Sequence, residues 1–185
     1  FIGAFGVSSF FTYLASSSFV LIGHYGLTPT VYSLFFSINA VAFIGMAQLN
    51  GRLVARHGIR RLVRVAVTGF AAAMLLLAVL VAAGIEHLAV LAGLLFVGYG
   101  FLGLVIPTTA VLALEAHGAI AGTASALLGT LQFVTGAVAI AVLGLVADGT
   151  PLPMVAGIAA CALVTFVLAQ GTLGGRKAAR AAATG

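Results

Sequence analysis

Long apolar runs separated by short polar links dominate this chain from its first residue to about residue 170. A hydrocarbon core about 30 Å thick, crossed at about 1.5 Å per helical residue, requires roughly 20 mostly apolar residues per crossing. Six runs meet that length, at about 1–23, 30–50, 62–84, 88–109, 122–147 and 152–170, and a basic segment follows at 171–185. Helices are the natural reading, because a lipid-exposed backbone must satisfy its own hydrogen bonds and the ten-residue alternation of a membrane barrel is absent. The links carry the expected punctuation. His24-Tyr25-Gly26 breaks the first run, and Thr28-Pro29 opens the second with a capping hydroxyl and a proline suited to a first helical turn. Thr150-Pro151 repeats that start before the sixth run, and Pro107 is expected to bend or end the fourth. The pattern predicts an all-α membrane protein of six transmembrane helices.

Composition agrees, with 63% apolar and only 6% charged residues, against about 45–50% and 25% in soluble domains. The few cations are placed one-sidedly. Arg52, Arg56, Arg60, Arg61 and Arg64 fall in or beside the link between runs two and three, and Arg176, Lys177 and Arg180 fall in the final segment. Six crossings put those two regions on one side, while the links near His24, Glu86 and Asp148 carry neither Lys nor Arg. Because the Lys/Arg-rich side of short loops faces the cytoplasm, both termini are expected there. The net charge of +5 then reports orientation and contact with anionic lipids at the cytoplasmic face, not nucleic acid. Phe1 already lies in hydrophobic sequence, with no initiator Met and no basic leader, so the chain is expected to be cut from something longer. A lone cysteine, Cys161, has no partner for an internal disulfide and reads as a small packing residue.

Enzymatic motifs are weak in this context. Gly98-Tyr99-Gly100-Phe101-Leu102-Gly103 fits a dinucleotide fingerprint in letters, yet it sits inside an apolar span and not at a strand-to-helix turn. Such glycines are expected to let neighbouring helices approach, and Gly122, Gly129 and Gly136 suggest a similar seam at seven-residue spacing. His24, His57, His87 and His117 all fall in links, where they read as solvated. No H-E-x-x-H or G-x-S-x-G occurs, so no enzyme, metal or cofactor is expected.

More informative are the polar residues nearest the middle of the spans. Tyr13, Asn39, Tyr99 and Gln132 occupy those positions in spans one, two, four and five, whereas spans three and six are apolar there apart from Cys161. A phenol or carboxamide facing lipid is poorly satisfied, so spans one, two, four and five are expected to line an interior, with three and six facing lipid. The order Tyr, then an amide, then none repeats in each half, as two inverted three-helix copies would require. The four residues are candidates for substrate binding, and interhelical hydrogen bonding is their structural alternative. No Asp, Glu, Lys, Arg or His lies at mid-depth in any span, so a proton-coupling group must be elsewhere.

Gly51-Arg52-Leu53-Val54-Ala55-Arg56-His57-Gly58-Ile59-Arg60-Arg61 resembles the second-half copy of the loop motif of the major facilitator superfamily, G-x-L-x-D-R-x-G-x-R/K in outline. Gln48-Leu49-Asn50-Gly51-Arg52-Leu53, the run Ala121 to Gly129 and Leu131-Gln132-Phe133 are similar to the bicyclomycin-resistance group of drug exporters within that superfamily. The resemblance covers nearly the whole chain, aligned with the last six of twelve helices. It implies the C-terminal half of a proton-coupled multidrug exporter in the bacterial inner membrane, with small hydrophobic compounds as substrates. It further implies alternating access about a central cavity, with protons carried by the missing N-terminal half. Gly51, Arg52, Arg56, Gly58 and Arg60 are the matched loop positions. Ala55 stands where the motif is acidic, for which Glu115 is a candidate substitute, and Ser18 stands where relatives often have proline. A half-transporter that pairs with a second chain and a noncatalytic membrane scaffold are the rival readings.

Overall fold

The computed structural model describes residues 1–115 and 120–182, with side chains as far as Thr172. Its helices are α1 (Ile2–Ser18), continued by a π-helical turn (Phe19–His24), α2 (Pro29–His57), α3 (Ile59–Ala82), α4 (Leu88–Glu115), α5 (Ala121–Val146) and α6 (Pro151–Ala182). All six contain segments long and apolar enough to cross a membrane, and no strand occurs among the described residues.

Local chemistry accounts for the boundaries. The Thr28 hydroxyl accepts from the Val31 amide at 3.3 Å, with Pro29 in the first turn of α2, as the sequence leads one to expect. Ahead of α6, the Asp148 carboxylate accepts from the Thr150 hydroxyl at 2.6 Å and the Thr150 amide at 2.9 Å. Those two bonds hold the Asp148 carboxyl below its ordinary range. A depressed carboxyl supports the fold above its ordinary value and loses that support as pH falls through the lowered one. Replacing Thr150 by Ala should therefore move the Asp148 titration upward in side-chain NMR; an unmoved titration would exclude this turn as its cause.

Two expectations change at the ends of helices. The arginine-rich stretch is not an extended link, because α2 continues through His57, Gly58 alone makes the turn, and α3 begins at Ile59. Arg52 and Arg56 thus project from the last turns of α2, and Arg60 and Arg61 from the first turn of α3. Pro107 does not end α4, which runs to Glu115. At the other end of the bundle, the helix following Ser18 widens into the π turn, where the Tyr25 amide reaches the Val20 carbonyl at 3.1 Å.

Packing follows a two-fold pattern. Helix α1 packs on α5 and α6, α4 packs on α2 and α3, and α3 packs on α6. Exchanging α1 with α4, α2 with α5 and α3 with α6 leaves this list unchanged, which is the signature of two three-helix copies. Their chain directions alternate, so the copies are inverted. The axis passes between α3 and α6 and between α1 and α4, where Gly6 faces Leu102 and Val105.

The core lies along α3, α4, α6 and α1. Val63, Val67, Phe70, Met74, Leu77 and Val81 form one buried stripe on α3, and Met154, Ile158, Ala162, Thr165 and Ala169 form another on α6. Within this chain, burial does not follow the expected division into four enclosing and two outer helices. Only 11% of the most apolar window of α2, and of α5, is buried, against 39–50% for the other four. The physical reason is that α3 and α6, apolar and rich in small residues, shield one another, whereas α2 and α5 each have one principal neighbour. The outward residues Leu75, Leu76 and Val79 of α3 and Leu163 and Val167 of α6 are nonetheless exposed, as lipid-facing positions should be.

Candidate functional site

Tyr13, Asn39 and Tyr99 meet. They sit on α1, α2 and α4 and line a recess of about 230 Å³ that is completed by Phe10, Phe36 and Phe43, beside Ala40 and Ile44. Each is nearly sealed from solvent, at 1%, 5% and 1% exposure respectively. Helical spacing explains the convergence: Phe36, Asn39, Ala40 and Phe43 repeat at i, i+3, i+4 and i+7 along one face of α2, and Phe10 lies three residues before Tyr13 on α1.

The rings pack tightly on one another. Tyr13 and Tyr99 are 5.0 Å apart between centroids, Tyr13 stacks on Phe36 at 6.1 Å, Phe10 stacks on Phe43 at 6.0 Å, and Phe10 meets Tyr99 edge-on at 6.1 Å. Offset and edge-on arrangements are those that ring quadrupoles favour. The polar atoms are less well served. Asn39 donates from Nδ2 to the Phe35 carbonyl at 3.0 Å, but among the described residues its Oδ1, the Tyr13 hydroxyl and the Tyr99 hydroxyl make no well-aligned hydrogen bond, although the Asn39 carboxamide lies near enough to the Tyr13 hydroxyl to interact with it. Leaving a buried polar atom unpaired costs about 1–3 kcal/mol. The three atoms lie behind an apolar lining, so an occupant of the recess relieves that cost only where a side chain turns toward it.

Gln132 is elsewhere. Its carboxamide nitrogen stands 3.6 Å from where a Cβ on Gly3 would lie, and the neighbouring Thr135 hydroxyl meets Ser8 at 3.0 Å. Gly3 precedes Tyr13 by ten positions on α1, or about 15 Å of helix, so Gln132 does not share the depth of the other three. No residue of α5 lines the recess.

Sequence reasoning that admitted only polar residues missed Phe10, Phe36 and Phe43, although their spacing with Tyr13 and Asn39 was the available signal. It also missed the pairing of Asn50 with Thr108, whose hydroxyl donates to Asn50 Oδ1 at 2.7 Å where α2 meets α4, one residue past Pro107. The glycines divide. Gly98 packs on Met74 of α3, and Gly103 packs on the Phe43 backbone of α2, as expected of a close helix approach. Of the regular trio in α5, Gly136 faces Phe11, while among the described residues nothing lies within 4 Å of where a Cβ would stand on Gly122 or Gly129.

The loop positions Gly51, Arg52, Arg56, Gly58 and Arg60 are exposed at one end of the bundle. Glu115 is exposed at the end of α4, and among the described residues no ion pair joins it to Arg52, Arg56 or Arg60. At the opposite end His24 is not simply solvated, since its Nε2 lies 2.9 Å from Glu86 Oε2. Burial and the neighbouring Glu86 carboxylate push the adjacent Tyr25 hydroxyl above its ordinary range. His117 and the side chains of Arg176, Lys177 and Arg180 lie outside the described residues.

Six apolar helices in two inverted copies, with an aromatic recess where three of them meet, define a multi-pass membrane protein with the architecture of a transporter half. Over 146 residues, 78% of this chain and 35% of the relative, it is 35% identical to an uncharacterized MFS-type transporter of Bacillus subtilis, YdgK. Over 172 residues, 90% of this chain and 42% of the relative, it is 32% identical to a bicyclomycin resistance protein homolog of Haemophilus influenzae. The chain belongs to the major-facilitator-type (MFS) transporters. It spans well under half the length of these relatives. No family model matches it, and no solved structure matches it.

Proposed function

We propose that this chain is the C-terminal half of a proton-coupled exporter that moves small hydrophobic compounds across the bacterial inner membrane by alternating access. The observation that carries the reading is the meeting of Tyr13, Asn39 and Tyr99, with unpaired polar atoms, at an aromatic recess in a protein of transporter ancestry. The relative's description as a bicyclomycin resistance homolog supports a drug as cargo.

Uncovered flanks fit the same reading. Val31, Leu34, Ile38 and Val41 on α2, and Val134, Val138, Val142 and Leu145 on α5, are exposed and apolar. These faces are available to the remainder of a longer transporter, which would also supply the proton-binding carboxylate that no span here carries at mid-depth. The loop arginines suit a cytoplasmic, anionic lipid surface. Arg56 and His57 in the last turn of α2 complement its macrodipole, but Arg60 and Arg61 at the start of α3 oppose the dipole there, a conflict that lipid phosphates relieve.

The test uses the full-length protein in proteoliposomes with an imposed pH gradient, measuring drug flux. Asn39→Leu should lower flux roughly tenfold, the effect of losing about 1.4 kcal/mol of interaction. Gln132→Leu, outside the recess, should lower it by less. Undiminished flux and drug binding in a folded Asn39→Leu protein would reject the recess as the cargo site.

A further inference from the structure

The recess at Tyr13, Asn39 and Tyr99 also carries information about what it holds, and this step rests on reading it as a cargo site. A dry, engineered cavity of about 150 Å³ accepts benzene, so about 230 Å³ holds one ring with a short substituent. None of the residues lining it bears a formal charge at neutral pH. Five aromatic rings around a cavity could in principle form a cage for a cation, which is attracted to ring faces. Here one face of each of four rings is turned to another ring: Tyr13 and Phe36 stack with their planes 9° apart, and Phe10 and Phe43 stack at 22°. Fewer faces are therefore left to a cation than five unpaired rings would offer, and no carboxylate lines the recess to offset the cost of desolvating one.

The unpaired atoms add a hydrogen-bond code. A phenolic hydroxyl can donate or accept, and an amide oxygen only accepts. Tyr13 and Tyr99 can therefore donate to an acceptor on the occupant, while Asn39 Oδ1 seeks a donor. All three atoms are sealed from water in this arrangement, so engagement requires a phenol or the carboxamide to turn toward the ligand. We infer that this chain's share of the cargo site binds the uncharged, single-ring portion of a substrate whose short substituent both accepts and donates hydrogen bonds, as a primary aryl amide does.

Three small probes of similar size separate the alternatives by competition against a labelled drug that binds the full-length protein. Benzamide carries the acceptor and the donor, acetophenone carries the acceptor only, and benzyltrimethylammonium carries a charge and neither. The expected order of affinity is benzamide, then acetophenone, then benzyltrimethylammonium, with roughly tenfold steps for each hydrogen bond lost to a buried partner. Asn39→Leu should reduce benzamide to the level of acetophenone and leave acetophenone itself unchanged. Tyr13→Phe and Tyr99→Phe, which keep the rings, should weaken benzamide and acetophenone together. A residue that only supports the fold would shift all three probes alike.

Tighter binding of the ammonium would make the recess a cation cage and overturn the assignment. Equal affinity of benzamide and acetophenone, or their insensitivity to all three variants, would show that ordered water satisfies the buried atoms and would overturn it equally. Failure of the parent reading looks different: the probe order would hold while no drug moves in proteoliposomes. Drug flux with a flat probe order would leave the transporter standing and reject this ligand class.

Discussion

Replacing Gly103 by Val should leave little folded protein in detergent, with thermal unfolding shifted strongly downward or no cooperative transition at all. A Cβ at this position would stand 3.0 Å from the Phe43 carbonyl carbon, 3.2 Å from its Cα, and closer still to its oxygen. The obstacle is backbone of the neighbouring helix, so no rotamer change can relieve it, and α2 must move away from α4. Overpacking in a rigid interior costs about 1–3 kcal/mol, and occasionally more; a clash with backbone belongs at the upper end. Since α4 is the principal neighbour of α2, separation also loosens the Asn50–Thr108 hydrogen bond and opens the recess from the side of Phe43. Gly136→Val supplies the contrast, because its obstacle is the Phe11 ring, a side chain that can swing aside, and a milder loss is expected. Gly51→Ala, with nothing within 4 Å, should be tolerated. If Gly103→Val unfolds at the same temperature as the parent protein, the close approach of α2 and α4 is wrong.

A second large loss is expected from Gly58→Ala, for a different reason. Nothing lies within 4 Å of a Cβ there, so space is not the issue. Gly58 has φ 78° and ψ 144°, close to a region that only glycine populates, and forcing another residue into it costs about 1–3 kcal/mol. One residue makes the whole turn between α2 and α3, leaving no neighbour to absorb the change. Asn, which tolerates the left-handed helical region but not this one, should give no rescue. The measurable outcome is a lowered unfolding temperature, with Arg52 and Arg56 on α2 displaced relative to Arg60 on α3. A parental melting curve for Gly58→Ala would show that the turn is not held in this conformation.

Much of the candidate site was legible because a phenol or carboxamide in a membrane span must find shelter, which singles out Tyr13, Asn39 and Tyr99 without coordinates. Gln132 obeyed the same rule by another route. It lies beside Gly3 and Thr135, where the hydroxyls of Ser8 and Thr109 already make that end of the bundle polar. Position along a helix therefore did not translate into depth, because adjacent helices are offset along their axes by amounts that side-chain packing sets. The aromatic wall was harder to see, since a phenylalanine in an apolar span is equally at home in lipid, in a core or at a cargo site.

The sequence by itself determined the number of crossings, the starts of α2 and α6 and the order in which polar centres repeat, because bilayer thickness, backbone hydrogen bonding and capping chemistry act on each segment locally. Only the tertiary structure decided which helices shield one another and which three side chains share a recess. Those outcomes depend on how closely two backbones approach, at Gly103 against Phe43 or Gly6 against Leu102, between residues far apart in the chain. Apolar length drives a helix into the membrane, but lipid tails are as apolar as leucine and give it no preference among neighbours. Shape makes that choice, and shape appears only when the helices are packed together.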